Sequence, residues 1–123
     1  MTTRRQRTGE LGEEIAAQRL REAGYRIVER KHRTPHGEID LVCEHNGTVV
    51  FVEVRTRRPS GFGSPEESIT PEKAAHMTDS AQHYIQSADV EYHDWRIDLV
   101  AIELGHNGRL LRFNVIENAV EVQ

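Results

Sequence analysis

Two carboxylates set across a tight turn are the clearest chemical signal in the chain. Asn46-Gly47 separates two alternating stretches, 38–44 and 48–56, and an Asn-Gly pair so flanked is a strong hairpin signal because both residues tolerate positive φ. A two-residue loop sets His45 opposite Thr48, and the same register carries Asp40 opposite Glu53 and Glu38 opposite Arg55. Alternation places these four on one face, and Ile39, Leu41, Cys43, Val50, Val52 and Val54 on the other. Facing carboxylates about 5 Å apart repel by roughly 3 kcal/mol at an effective dielectric of about 20. A divalent cation would offset that cost. Two carboxylates with water and a backbone carbonyl make a hard-oxygen set suited to Mg²⁺ or Mn²⁺. Taken alone, the residues leave other resolutions open: a solvated pair, a splayed pair, or neutralisation by Arg55. A register slip of one residue would send the two acids to opposite faces.

The elements that must position these groups follow from periodicity. Residues 8–24 carry Leu11, Ile15, Leu20 and Ala23 at helical spacing, with Thr8 as cap and Gly24 as terminator. A short strand is expected over 25–30, then the hairpin strands, then a Gly/Pro/Ser-rich loop over 57–68. Thr70-Pro71 starts a second helix, whose apolar stripe runs through Ala74, Met77, Ala81, Tyr84, Ile85 and Ala88. Strands are expected over 95–104 and 109–116, joined by a turn at 105–108. Helix, three strands, helix, two strands is an α/β order with one central mixed sheet. Its crossover from the third strand through a helix implies a parallel pair. Residues 1–7 are read as a basic, mobile arm and 117–123 as a tail.

Composition sets the outer limits. The 123 residues suit a single domain. No run approaches the roughly 18–20 apolar residues of a membrane span, and the basic opening has no apolar segment behind it to make a secretory signal. A single cysteine, Cys43, excludes an internal disulfide and suits a reducing cytoplasm. The net charge of −4 argues against a nucleic-acid binder at first sight. A carboxylate-lined metal site is acidic until filled, however, and the positive charge is grouped: Arg4, Arg5 and Arg7, then Arg30, Lys31 and Arg33, then Arg55, Arg57 and Arg58.

The stretches Gly37-Glu38-Ile39-Asp40-Leu41-Val42 and Phe51-Val52-Glu53-Val54-Arg55 resemble the YraN-like family of small bacterial proteins. Gly12-Glu13, Gly24-Tyr25, Lys73 and Arg96-Ile97-Asp98-Leu99-Val100 extend the resemblance across most of the chain. That family looks like a minimal branch of the PD-(D/E)XK nuclease superfamily, close in layout to archaeal Holliday-junction resolvases. The resemblance implies a restriction endonuclease-like fold with an αβββαβ core of five strands flanked by helices. It implies a Mg²⁺- or Mn²⁺-dependent endonuclease acting on DNA with little regard to sequence, on branched or single-stranded substrates in repair or recombination. Asp40 and Glu53 match the superfamily's acidic metal ligands, Val54 would offer its carbonyl, and Glu13 matches the helix-one glutamate that completes the site. Arg55 is a departure, because the family pattern carries lysine there. An arginine stays protonated and cannot serve as base, yet it can grip a phosphate bidentately. Lys73, in the first turn of the second helix, is the substitute lysine. Arg30, Arg33, Arg55, Arg57 and Arg58 are the expected DNA contacts, helped by the 61–63 loop (Gly61-Phe62-Gly63). A helicase-type protein partner and a homodimer both fit this reading, and a membrane does not.

Other chemistries find little support. No HExxH or Cys/His zinc spacing occurs among the seven histidines, and Gly61 to Gly63 lacks the lysine and hydroxyl of a nucleotide-binding loop. Arg96 and Asp98 share a strand face and read as an internal ion pair. Trp95 and Phe113 read as core. The rival reading is a retired nuclease that binds DNA beside a partner without cutting; a protein-interaction adaptor is a third.

Overall fold

The computed structural model describes residues 1–59, 63–88 and 94–121. Its elements run α1 (Arg4–Glu22), β1 (Arg26–Thr34), β2 (Gly37–His45), β3 (Thr48–Arg57), α2 (Pro71–Ser87), β4 (Trp95–Leu104) and β5 (Leu110–Val120). The strands form one sheet in the order β1-β2-β3-β4-β5. Only β3 and β4 pair in parallel; α2 lies in the crossover between them. This five-stranded mixed sheet flanked by helices is compatible with a restriction endonuclease-like fold. No described helix is long and apolar enough to cross a membrane.

Local chemistry fixes the ends of α1. Thr3 and Gln6 form a reciprocal capping box: the Thr3 side chain accepts from Gln6 N–H and the Gln6 side chain from Thr3 N–H. The helix therefore starts earlier than the sequence reading had it. Thr8 does not cap; its hydroxyl donates to the Arg4 carbonyl inside the helix, and Arg4, Arg5 and Arg7 stand on helical turns rather than on an arm. At the other end Gly24 adopts φ +91°, and Gly24 and Tyr25 N–H groups close back on the Arg21 and Leu20 carbonyls, a Schellman ending.

Asn46 and Gly47 take φ of 51° and 81°, the two positive values of a type I′ turn. The hairpin register is the expected one, with His45↔Thr48 through Leu41↔Val52 paired. Two strands run longer than the sequence suggested. β1 continues to Thr34 through a bulge near Val28 and a left-handed Lys31 (φ 53°). β5 reaches Val120, because the Asp98 carboxylate accepts the Asn118 N–H (3.0 Å) where the β4–β5 register shifts. Residues 117–120 are thus strand, not tail. The 57–68 segment includes one 3₁₀ turn at Pro65–Ser68, tied to β5 by a bidentate Arg112–Glu66 pair.

The sheet buries a core on each face. Ala16 and Leu20 of α1 meet Leu41, Cys43, Val50, Val52, Val100 and Ile102. Ala81 of α2, with Met77 and Tyr84 beside it, meets Ile39, Val42, Phe51 and Ile97. Ile39 is a correction, since simple alternation put it with Leu41 and Cys43. Pairing of β2 with β3 stops at Leu41↔Val52, so beyond that point the pleat of one strand no longer dictates the other. Trp95 is half-buried, edge-on to Phe51, and half-buried Phe113 lies beneath the Arg19 guanidinium. Arg96 and Asp98 form the expected ion pair (3.0 Å), with Arg96 also donating to the Tyr25 hydroxyl.

Candidate metal centre at the splayed hairpin

The site arises where the two hairpin strands part. One residue beyond the last ladder pair, Asp40 Oδ2 accepts the Val54 N–H at 2.8 Å. A side chain thus takes the place of a cross-strand carbonyl. In an extended strand the N–H and C=O of one residue point to the same edge, so the Val54 carbonyl is turned toward the same gap. Glu53, on the adjacent pleat, is buried despite its charge.

From the other side α1 supplies Glu13. The helix can approach β3 closely because Gly12 has no side chain: a Cβ there would fall 1.8 Å from Thr56 Oγ1. This contact sets the height of Glu13 over the gap. One carboxylate oxygen each from Glu13, Glu38 and Asp40 lies within 4.8 Å of the others. Oxygens sharing one Mg²⁺ lie up to about 4.2 Å apart and those sharing one Ca²⁺ up to about 5 Å. A modest side-chain adjustment would bring this set within the span of a single ion.

Glu53 is engaged differently. Its Oε1 is 3.2 Å from Arg55 Nη2 and 3.5 Å from Lys73 Nζ. Thr70 places the lysine, since its hydroxyl accepts Lys73 N–H and caps α2 in the same turn. All four candidate catalytic residues, Asp40, Glu53, Arg55 and Lys73, consequently line one open cavity of about 910 Å³. Asp40, Glu53 and Lys73 also line a second of about 340 Å³, walled by His36, Glu38 and His76 on the α2 side.

Electrostatics here are strained in one direction. Burial first, then Glu53, then Glu13 and Glu38 push the Asp40 carboxyl up to about 8, against the single opposing Val54 hydrogen bond. Burial also raises Glu53, while Arg55 and a hydrogen bond from Asp40 hold it down. Both acids are thus held above the ordinary carboxylate range, Asp40 by the larger push. Crowded like charges in a low dielectric produce this shift at Asp40 even though Glu53, Glu13 and Glu38 each have a cation beside them. The donor set, all hard oxygen, is of the kind that suits Mg²⁺ or Mn²⁺.

Of the candidate ligands, then, Glu13, Asp40, Glu53 and the Val54 carbonyl all border the gap. Glu38 is the member sequence reasoning placed beside Arg55 rather than in the cluster. Its position two residues before Asp40 was the available signal. The candidate DNA contacts are less uniform. Arg55 and Arg57 line the larger cavity. Arg58 also lines it, but donates to the Gly105 carbonyl (2.7 Å). Arg30 and Arg33 are ion-paired with Glu14 (2.7 Å) and Glu38 (3.8 Å). Gly61 and Phe62 lie outside the described residues.

Comparison with known proteins gives kinship but no activity. The model of a family described as "Uncharacterised protein family UPF0102" matches residues 12–102. A "UPF0102 protein" of Dehalococcoides mccartyi is 43% identical over 120 residues, covering 98% of both chains. That of Moorella thermoacetica is 40% identical over 119 residues, 97% of this chain and 99% of its own. One from Roseiflexus castenholzii is 43% identical over 122 residues, 98% of each.

Proposed function

The chain belongs to the UPF0102 (YraN) family, and from that premise we propose that it is a divalent-metal-dependent nuclease hydrolysing phosphodiester bonds in DNA. One observation carries the proposal: half-buried Asp40 stands in a gap between strands with three other carboxylates around it, and desolvation together with their charge pushes its pKa up to about 8. Glu13, Asp40, Glu53 and the Val54 carbonyl would hold Mg²⁺ or Mn²⁺, with Glu38 able to join or replace one of them. A bound ion of this kind polarises a phosphoryl oxygen and lowers the pKa of its water.

The remaining work belongs to the chain's own cations. Arg55 and Lys73 approach the same Glu53 oxygen, so both stand beside the metal position where phosphate charge grows during attack. Their N–H groups stabilise that charge. Arg55, permanently protonated, acts only as an electrostatic and hydrogen-bonding group. Lys73 is the residue able to orient the attacking water. The water oxygen bonds to phosphorus as the ester P–O bond breaks, and its proton leaves to solvent while the departing alkoxide is protonated.

A second reading is a nuclease-fold DNA-binding module with weak or no cleavage, acting with a partner protein. What favours it is the pinning of Glu53 by two cations, which a metal must displace. An assay on linear, flapped and four-way DNA with Mn²⁺ separates the two. Metal-dependent cleavage that disappears in Asp40→Ala supports the enzyme; equal nicking by wild type and variant ends it.

A further inference from the structure

We infer that the substrate's phosphodiester backbone runs from the carboxylate gap along one track, over the first turns of α1, and not along the edge strand β1. The inference rests on the nuclease reading for where the scissile bond sits, but its own evidence is the pairing state of the arginines. On β1, each already has a carboxylate partner: Arg26 has Glu44 at 2.6 Å, Arg30 has Glu14 at 2.7 Å and Arg33, more loosely, has Glu38 at 3.8 Å. To hold a phosphate, those pairs must first break. On α1, Arg4, Arg5 and Arg7 are exposed and have no ion-pair partner among the described residues. Arg57, at the end of β3, is likewise unpaired.

These free guanidinium groups share one surface with the site. Arg4, Arg5 and Arg57 line the same cavity as Glu13, Asp40 and Glu53. A second cavity of about 490 Å³ carries the depression onward, past Arg7 to the turn at His106–Gly108. Arg4, Thr8 and Arg58 border both. The placement also breaks a local rule. The N-terminal end of a helix is its positive end and favours acidic residues, yet the first turn of α1 contains no acid and two of the three arginines. Such a concentration of like charge against the helix dipole is relieved by an anion. A nucleic-acid backbone presents a row of them.

The geometry also sets a footprint. Nine helical residues separate Arg4 from Glu13, about 14 Å at a rise of about 1.5 Å, so the arginines reach phosphates beyond the one at the gap.

Binding read without turnover tests the track. Fluorescence anisotropy would follow a labelled 30-mer as single-stranded DNA, as RNA of the same sequence and as duplex DNA, with Ca²⁺ in place of Mg²⁺, across a salt series. Three phosphate contacts contribute about 2 to the slope of log K against log salt for a single strand. The Arg4→Gln, Arg5→Gln, Arg7→Gln triple variant should therefore have a slope shallower by about 2, or about a hundredfold weaker binding at about 0.1 M salt if the lines meet near 1 M. An Arg26→Gln, Arg30→Gln, Arg33→Gln variant should stay within about threefold of wild type at the same salt. Thermal melts establish that both are folded, and single Arg7→Gln should show about a third of the slope change. Whichever nucleic acid binds tightest identifies the substrate class. An unchanged slope in the α1 variant, or an equal loss in the β1 variant, overturns the track. Failure of the nuclease reading would look different: binding with the predicted slopes and no cleavage.

Discussion

Replacing Asp40 by Asn should stabilise the metal-free protein, by an amount that grows with pH. Asparagine is nearly isosteric with the protonated acid, retains an oxygen to accept Val54 N–H, and offers N–H donors to Glu53. In the unfolded chain Asp40 ionises at its ordinary value of 3.8, and in the folded chain at about 8. Between those values the folded protein keeps a proton that the unfolded chain has released. The stability this group contributes is therefore fully present below about pH 4 and is lost as pH rises through about 8. At pH 7 the loss is about three pH units, at about 1.4 kcal/mol each an upper bound of about 4 kcal/mol. Because the ionisation of Asp40 and that of Glu53 depend on one another, we expect about 2–4 kcal/mol, or about 8–16 °C in Tm for a domain of this size. Melting of wild type and Asp40→Asn in EDTA between pH 4 and pH 8 would show curves that nearly meet at the acid end and separate toward the alkaline end. Saturating Mn²⁺ should close the gap from the wild-type side only. A variant less stable than wild type at pH 8, or a difference independent of pH, would refute the electrostatic account of the site.

Gly12→Ala should push α1 off β3, because its new Cβ would fall 1.8 Å from Thr56 Oγ1; we expect a loss of about 1–3 kcal/mol in urea denaturation, with weaker Mn²⁺ affinity as Glu13 is displaced. Lys73→Ala should lower the cleavage rate about a hundredfold with little change in DNA affinity, whereas Arg55→Lys should preserve or raise it; single-turnover rates at saturating DNA distinguish them. Asp98→Ala strips the buried partner from Arg96 and the acceptor from Asn118 N–H, and should cost about 3–5 kcal/mol in chemical denaturation, with Asp98→Asn milder.

Much of this architecture was legible because its signals are local. Asn46-Gly47 fixed the hairpin register, and Thr70-Pro71 fixed both the start of α2 and the place of Lys73. Three features escaped, the first a local signal passed over and the other two for non-local reasons. The Thr3–Gln6 capping box competed with Thr8 as a helix start, and the stronger reciprocal pair prevailed. The extensions of β1 and β5 depend on a bulge at Val28 and on Asp98 reaching across to Asn118, neither of which periodicity reveals. Ile39 joined the α2-side core because the ladder ends at Leu41↔Val52, a consequence of Asp40 reaching for Val54 N–H. The same break assembles the site: the alternation that predicted facing acids stops where the function is proposed. Glu38 entered the carboxylate cluster by that route. The idle state of Arg4, Arg5 and Arg7 beside the paired arginines of β1 is a tertiary fact, invisible in a list of charge clusters.

The most direct measurement is calorimetric titration of Mn²⁺ into the apo protein at pH 7, in buffers that differ in ionisation enthalpy. With Asp40 ionising at about 8, binding should expel nearly one proton per ion in wild type, since a carboxylate must deprotonate to ligate. Asp40→Asn should show little or no binding heat. Mn²⁺ binding with no proton release, or equal binding by the variant, would contradict the claim that Asp40 awaits a cation.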